Sequence, residues 1–240
     1  MVSLKSGDTP ALYSNFEAPI TALDCGKKCS PYNERGVPFC CDTRHAVPSA
    51  YTGEWQYLQV NTDLWHEWQG PTPQETERLR RQTPQGQVLI ECLGHRLCQR
   101  GYRALTCRSF PFFPYITRGF EFIGLSYYWE YADRCWVISN LHVVSIEYRQ
   151  QFMQAYATLF EHMPREVEYF RRFSSSMRRS FSRRREEIPL LHADGGAYLV
   201  NPGSGRMRPV DPQELPKFGP YAVASLLPFP DEISSAVTGP

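Results

Sequence analysis

Eight cysteines lie between residues 25 and 135, and residues 136–240 contain none. No other feature constrains the chain as strongly. The opening run MVSLKSGDTPALYSNFEAPITALDC lacks an apolar stretch of signal-peptide length, and no segment approaches the roughly 18 apolar residues of a membrane span. A cytoplasmic location is therefore the expectation, and a reducing cytosol keeps ordinary thiols reduced. In a secreted chain the same cysteines would suggest disulfides. In the cytosol, thiols at short spacings point to metal binding or redox chemistry. Cys25, Cys29, Cys40 and Cys41 form a first group, Cys92, Cys98 and Cys107 a second, and Cys135 stands apart.

Soft thiolates select zinc or iron–sulfur clusters over hard cations. Cys25-x3-Cys29 lets two thiolates reach one metal from a single turn of backbone. Arg96, Arg100, Arg103 and Arg108 stand near the second group. Their charge would lower thiol pKa values and offset a thiolate-bound centre, or serve surface ion pairs. The Cys40-Cys41 doublet is the most informative element, because adjacent cysteines rarely bridge each other without strain. Two neighbouring thiols could serve two metals, or one could ligate while the other reacts. Eight thiols suit two four-thiolate sites, or one cluster with a redox-active remainder, and the spacing does not choose between them. Phe110, Phe112, Phe113 and Tyr115 follow Cys107, and Tyr127, Tyr128, Trp129, Tyr131 and Trp136 surround Cys135. Such a shell would exclude water from a cluster, or simply pack a core. His45 and His95 are further candidates as mixed ligands.

At 240 residues, 42% of them hydrophobic, the chain is long enough for a real core. Residues 1–50 are punctuated by Pro and Gly and read as a loop that metal would organise. Thr72-Pro73-Gln74-Glu75 reads as a helix start, with the helix running to about Gln82. Val88-Leu89-Ile90 and Phe120 to Tyr128 read as strands. Tyr148, Phe152, Tyr156, Leu159, Met163, Val167, Phe170, Met177 and Phe181 recur at helical steps, Phe173 or Ser174 filling the remaining turn, and Pro164 divides the stretch into two helices. Ala197–Val200 and Arg206–Val210 flank a turn and predict a hairpin, followed by a Pro-rich extended tail from Pro216 through Pro230. The expectation is an α+β chain: an irregular cysteine-rich metal-binding domain with short strands at 1–145, amphipathic helices packed on it at 146–187, and a hairpin with a Pro-rich tail at 188–240.

The formal net charge of +1 points to no partner class. Arg171, Arg172, Arg178, Arg179, Arg183, Arg184 and Arg185 could bind phosphates, but a solvated helix face is the commoner meaning of such a run, and nucleic acid is not the expected partner. Walker A, GxGxxG, HExxH and GxSxG motifs are absent, so nucleotide-dependent and hydrolytic functions have no positive support.

The order Cys-x3-Cys, Cys-Cys, Cys-x5-Cys and then Cys107-Arg108-Ser109-Phe110-Pro111 resembles the YkgJ-like family, named for its CxxxCxxCC motif. Cys25, Cys29, Cys40 and Cys41 match that run, and Cys92, Cys98 and Cys107 match downstream thiols. Tyr102 and Arg103 fall where the family has a Tyr and an Arg-Pro. The likeness covers about residues 25–115, with Cys135 beyond it as an eighth participant. The stretch from Cys29 to Cys40 is longer than the motif's, Cys98 to Cys107 is a residue shorter, and Ala104 replaces a proline. The resemblance implies a zinc- or iron-chelating domain similar to flagellin lysine N-methylases. Its metal ligands would be Cys25, Cys29, Cys40, Cys41, Cys92, Cys98, Cys107 and Cys135. The implied cofactors are an iron–sulfur cluster, 4Fe-4S first, or zinc, with S-adenosylmethionine as a possible co-substrate. The function classes are an oxidoreductase or S-adenosylmethionine-dependent protein methylase acting on a protein or small molecule, a non-catalytic metal or cluster carrier, and a zinc-stabilised nucleic-acid- or protein-binding module.

Overall fold

The computed structural model describes residues 4–224. The fold is mixed helix and sheet. In chain order, α1 (Thr9–Ser14) and α2 (Cys25–Cys29) precede β1 (Ser49–Tyr51), α3 (Thr52–Asn61), β2 (Trp65–Glu67), α4 (Pro73–Gln82) and β3 (Gln87–Cys92). Then come α5 (Leu105–Ser109), β4 (Phe112–Ile116), β5 (Phe122–Tyr127), α6 (Ile146–His162) and α7 (Pro164–Arg184). The chain ends its described part with β6 (Ile188–His192), β7 (Ala197–Val200), β8 (Met207–Pro209) and α8 (Pro220–Ala224). No helix among the described residues is long and apolar enough to cross a membrane.

Local chemistry explains the longer elements. Thr72 caps α4, its hydroxyl accepting from Glu75 N at 3.2 Å, and Pro73 takes the first helical position. Ser145 does the same for α6 through Tyr148 N. Met163 leaves helical geometry just before Pro164, and α7 begins there. The apolar stripe faces inward along both helices: Tyr148, Phe152, Leu159, Phe170, Met177 and Phe181 are all buried. Ser174 fills the remaining turn. It is fully buried, and its hydroxyl donates to Phe170 O and accepts from Ile116 N.

Two antiparallel sheets receive these helices. The smaller has order β1-β3-β2, and the larger has order β4-β5-β6-β7-β8. The larger sheet takes strands from both sides of the boundary expected at residue 146, so residues 112–127 and 188–209 share one core. β7 and β8 form the hairpin, with Tyr198 opposite Pro209. β4 and β6 carry no alternating pattern, and each contains a proline. β4 lies at the sheet edge, where Pro114 is tolerated. Its last residue is covered by α7: Arg178 donates to Ile116 O at 2.9 Å, while Ser174 takes the N–H. Pro189 of β6 lies beyond the two residues that pair with β5, and its carbonyl accepts from Ser126 Oγ instead.

Gly124 sits where β5 meets β6, and a Cβ there would run into Leu191 O and the His192 Cα. Gly124→Ala should therefore part the central strands and lower stability by about 1–3 kcal/mol, read as a fall in urea midpoint. An unchanged midpoint would mean that the strands separate without cost.

Two expectations need correction. Residues 4–16 are not short of core, because Leu4, Leu12 and Phe16 are buried in the main cluster. Nor is the tail extended from Pro216: Leu215 and Tyr221 are buried, and α8 brings the chain back against the cysteine region. Residues 225–230 lie outside the described residues.

Candidate metal centre

Short elements deliver the thiols. In α2 a single helical turn puts Cys25 and Cys29 four residues apart on one face. Asp24 caps the turn through Gly26 N at 3.1 Å. Phe39–Cys41 forms a 3-10 turn that begins after Pro38. Cys40 is half-buried, Cys41 is exposed, and their sulfurs are 3.9 Å apart. The next residue locks this turn. The buried Asp42 carboxylate accepts from Arg44 at 2.7 Å and Asn33 at 3.2 Å, with Arg35 at 3.7 Å. The hydrogen bonds from Arg44 hold that carboxyl well below the usual carboxylate range.

Cys92 ends β3 opposite Trp65, whose indole N–H reaches Tyr102 O at 2.8 Å. That bond fastens the loop between Cys98 and Cys107 to the small sheet. Arg103 Nε donates to Cys98 Sγ at 3.0 Å. Arg108 does something different from the charge offset expected of it. Its guanidinium is buried, lies 4.1 Å from the Tyr13 ring centre, and donates to the carbonyls of Gly101, Arg103, Tyr13 and Phe16. It clamps the Cys98–Cys107 loop to α1 and touches no thiol. Arg96 and Arg100 are exposed.

Cys135 follows the 3-10 turn at Trp129–Tyr131 and donates its N–H to Tyr131 O. Its thiol lines one pocket together with Cys25, Cys29 and Cys40, walled by Phe39, Phe110, Tyr131 and Trp136. Of the aromatic shell expected from sequence, Phe110, Tyr131 and Trp136 are at the thiols. Phe112, Phe113, Tyr115 and Tyr127 sit in the main core, and Tyr128 and Trp129 pack on Phe173. Sequence reasoning missed Phe39 and Tyr221, which are buried with Cys29 and meet Trp136. Tyr221 also anchors α8 by donating to Arg134 O at 2.7 Å.

The electrostatics of the thiols follow from crowding. Burial pushes Cys29 up to about 11 and Cys135 up to about 12, and it raises Cys25, Cys92 and Cys107 as well. Cys40 is raised by its hydrogen bond to Cys41, which lowers Cys41 in return, with Arg103 assisting. Several thiolates cannot coexist here without a compensating cation, which is what a bound metal supplies. All eight thiols are free. As they stand, no three His, Cys, Asp or Glu side chains among the described residues are set to hold a metal ion. His45 packs edge-on against Phe39 at 5.0 Å.

The basic stretch of α7 is mostly occupied. Arg171 and Arg172 both pair with Glu168, Arg178 covers the sheet edge, and Arg179 donates to Ser175 and Ser176. Arg183, Arg184 and Arg185 are exposed at the helix end.

No protein-family model, curated protein or solved structure matches the chain.

Proposed function

We propose that the chain is a thiolate metal-binding protein holding an iron–sulfur cluster or zinc. One observation carries this reading: all eight thiols are free, and Cys25, Cys29, Cys40 and Cys135 line one pocket, with the Cys41 sulfur 3.9 Å from that of Cys40. The donor chemistry fits a soft metal, since the thiols outnumber any other ligand type at the site. Iron is the first candidate, because Phe39, Phe110 and Trp136 would keep water from a cluster. A bound cluster would supply one-electron transfer. The chain would then act as an oxidoreductase or, following the resemblance, as an S-adenosylmethionine-dependent protein methylase. Zinc would instead make it a carrier or binding module. The residues contribute donors, a charge partner in Arg103, and an apolar wall on one side.

Anaerobic purification tests the reading. The expected preparation is brown and contains iron and acid-labile sulfide, whereas a colourless one with zinc selects the second metal. Cys92→Ser, Cys98→Ser and Cys107→Ser should each lower bound metal, because a neutral hydroxyl is a poor ligand for a soft ion. A metal-free wild-type chain, or full occupancy in all three variants, overturns the proposal.

A further inference from the structure

We infer that the loop at residues 93–103 is a docking face for an acidic segment of a partner protein, with Leu93 and Leu97 as apolar anchors and Arg96 and Arg100 as carboxylate receptors. The inference rests on this face alone and needs no bound metal.

The sequence sets the charge. No Asp or Glu occurs from residue 92 to residue 120, and Arg96, Arg100 and Arg103 fall within the loop. Arg103 is taken up by Cys98, to which its Nε donates at 3.0 Å. Arg96 and Arg100 are exposed, and among the described residues neither side chain has a hydrogen bond or an ion pair. Other exposed arginines are matched: Arg44 sits on Asp42, Arg80 on Glu67, Arg81 on Glu77, Arg172 on Glu168 and Arg208 on Glu187. Two guanidinium forks are left open in the loop, and such a fork suits bidentate contact with a carboxylate.

Apolar surface lies among these charges. Leu97 is 61% exposed and Leu93 is 55% exposed. Gly94, at φ 102°, turns the chain between Leu93 and the 3-10 turn His95–Leu97. Leu97 N closes that turn on Gly94 O at 3.2 Å. The loop is also pinned from beneath. Leu93 N donates to Leu64 O at 3.0 Å, Trp65 Nε1 to Tyr102 O at 2.8 Å, and Arg108 to Gly101 O at 2.7 Å. A face held in this way has little backbone freedom to lose when a partner binds.

The chemistry selects the class of partner. A flat anionic membrane would also meet Asp63, which is exposed beside Leu64, the residue that holds Leu93. Nucleic acid would bring bases, and leucines offer no ring on which to stack them. A narrow acidic segment with an apolar side chain satisfies both the forks and the leucines, and it can pass Asp63 by. Cys92 directly precedes Leu93 and Cys98 directly follows Leu97, so a partner docked here would stand beside two of the thiols.

A random peptide library displayed on phage and selected against the immobilised full chain tests the inference. Leu93→Ser/Leu97→Ser and Arg96→Glu/Arg100→Glu serve as counter-targets, with circular dichroism confirming their fold. The enriched peptides should carry Asp or Glu beside an apolar side chain. Synthesised and measured by fluorescence anisotropy, they should bind each variant about tenfold or more weakly than wild type. Their affinity should also fall as salt rises. Peptides that lack acidic residues, or that bind wild type and both variants alike, overturn the inference. So does a selection that yields no peptide sensitive to the variants. Oligothymidine and vesicles of phosphatidylcholine with phosphatidylglycerol are measured alongside. Binding of either one that the variants abolish, without any such peptide, gives the face to nucleic acid or membrane and overturns the inference equally. Metal analysis of the same preparations reads the metal-binding proposal independently.

Discussion

Replacing Glu54 with alanine is expected to remove about 3–5 kcal/mol of folding stability, a large share of what a domain of this size holds. Glu54 is fully buried at the third position of α3. One carboxylate oxygen accepts from the Tyr13 hydroxyl and from Leu105 N, both at 2.6 Å, and the other accepts from Tyr51 N at 3.1 Å. The side chain therefore ties α1, α3 and the start of α5, the helix that carries Cys107. Alanine would leave three donors without an acceptor inside the core, and each orphan costs about 1–3 kcal/mol before relaxation. Glutamine keeps the volume and one carbonyl oxygen, so Glu54→Gln should lose less, about 1–3 kcal/mol. Urea unfolding of the three proteins measures this order. A loss below about 1 kcal/mol for alanine would mean that water reaches the site and satisfies the donors.

Glu54 also shows where sequence reading stops. A lone Glu after Gly53 carries no pattern, and its partners come from residues 13, 51 and 105. The elements that were legible had local causes: the Thr72 cap and Pro73 for α4, the apolar stripe and Pro164 for α6 and α7. The elements that were not legible depend on distant chain. Phe112–Ile116 is buried at every position, so it has no alternation, and Pro114 argues against a strand until the sheet edge is known. Ile188–His192 hides in the same way behind Pro189. Arg178 reads as part of a basic face, yet its purpose is a carbonyl on β4. At the site, the cysteine order alone marked the thiols. It could not show that Cys25, Cys29, Cys40 and Cys135 line one pocket, because Phe39 and Trp136 of other elements help to wall it. Arg108 reads in the sequence as one of four arginines that would offset thiol charge or serve surface ion pairs, but its chemistry is carbonyl clamping.

Stripping metal should open residues 24–45 while α6 and α7 stay closed. The doublet turn and α2 contribute little to the main core: Phe39 and Cys29 pack mainly with Tyr221 and Trp136. Without a cation, four thiols crowd one pocket, and the loop is left to Asp42 with its arginines and to the bonds from Thr43 to Glu91 and from Tyr131 to His45 O. Structural metal commonly supplies about 10 kcal/mol or more to such segments. Even about 3 kcal/mol shifts an opening equilibrium roughly a hundredfold. Trypsin reads this directly, since Lys27, Arg35 and Arg44 are exposed in the loop. Chelator-treated, reduced protein should be cut there about a hundredfold faster than the metal-loaded form. Lys217 should open with it, because α8 rests on Cys29 through Tyr221. Arg149 and Arg178 are buried under the sheet and helices and serve as internal controls, since cutting there reports global unfolding. The N-terminal helix should also remain protected, held by Leu12 and Phe16 in the main core and by Arg108 on Tyr13 and Phe16. Equal protection of residues 24–45 with and without metal would show that the loop stands on these protein contacts alone, and that metal has no part in folding it.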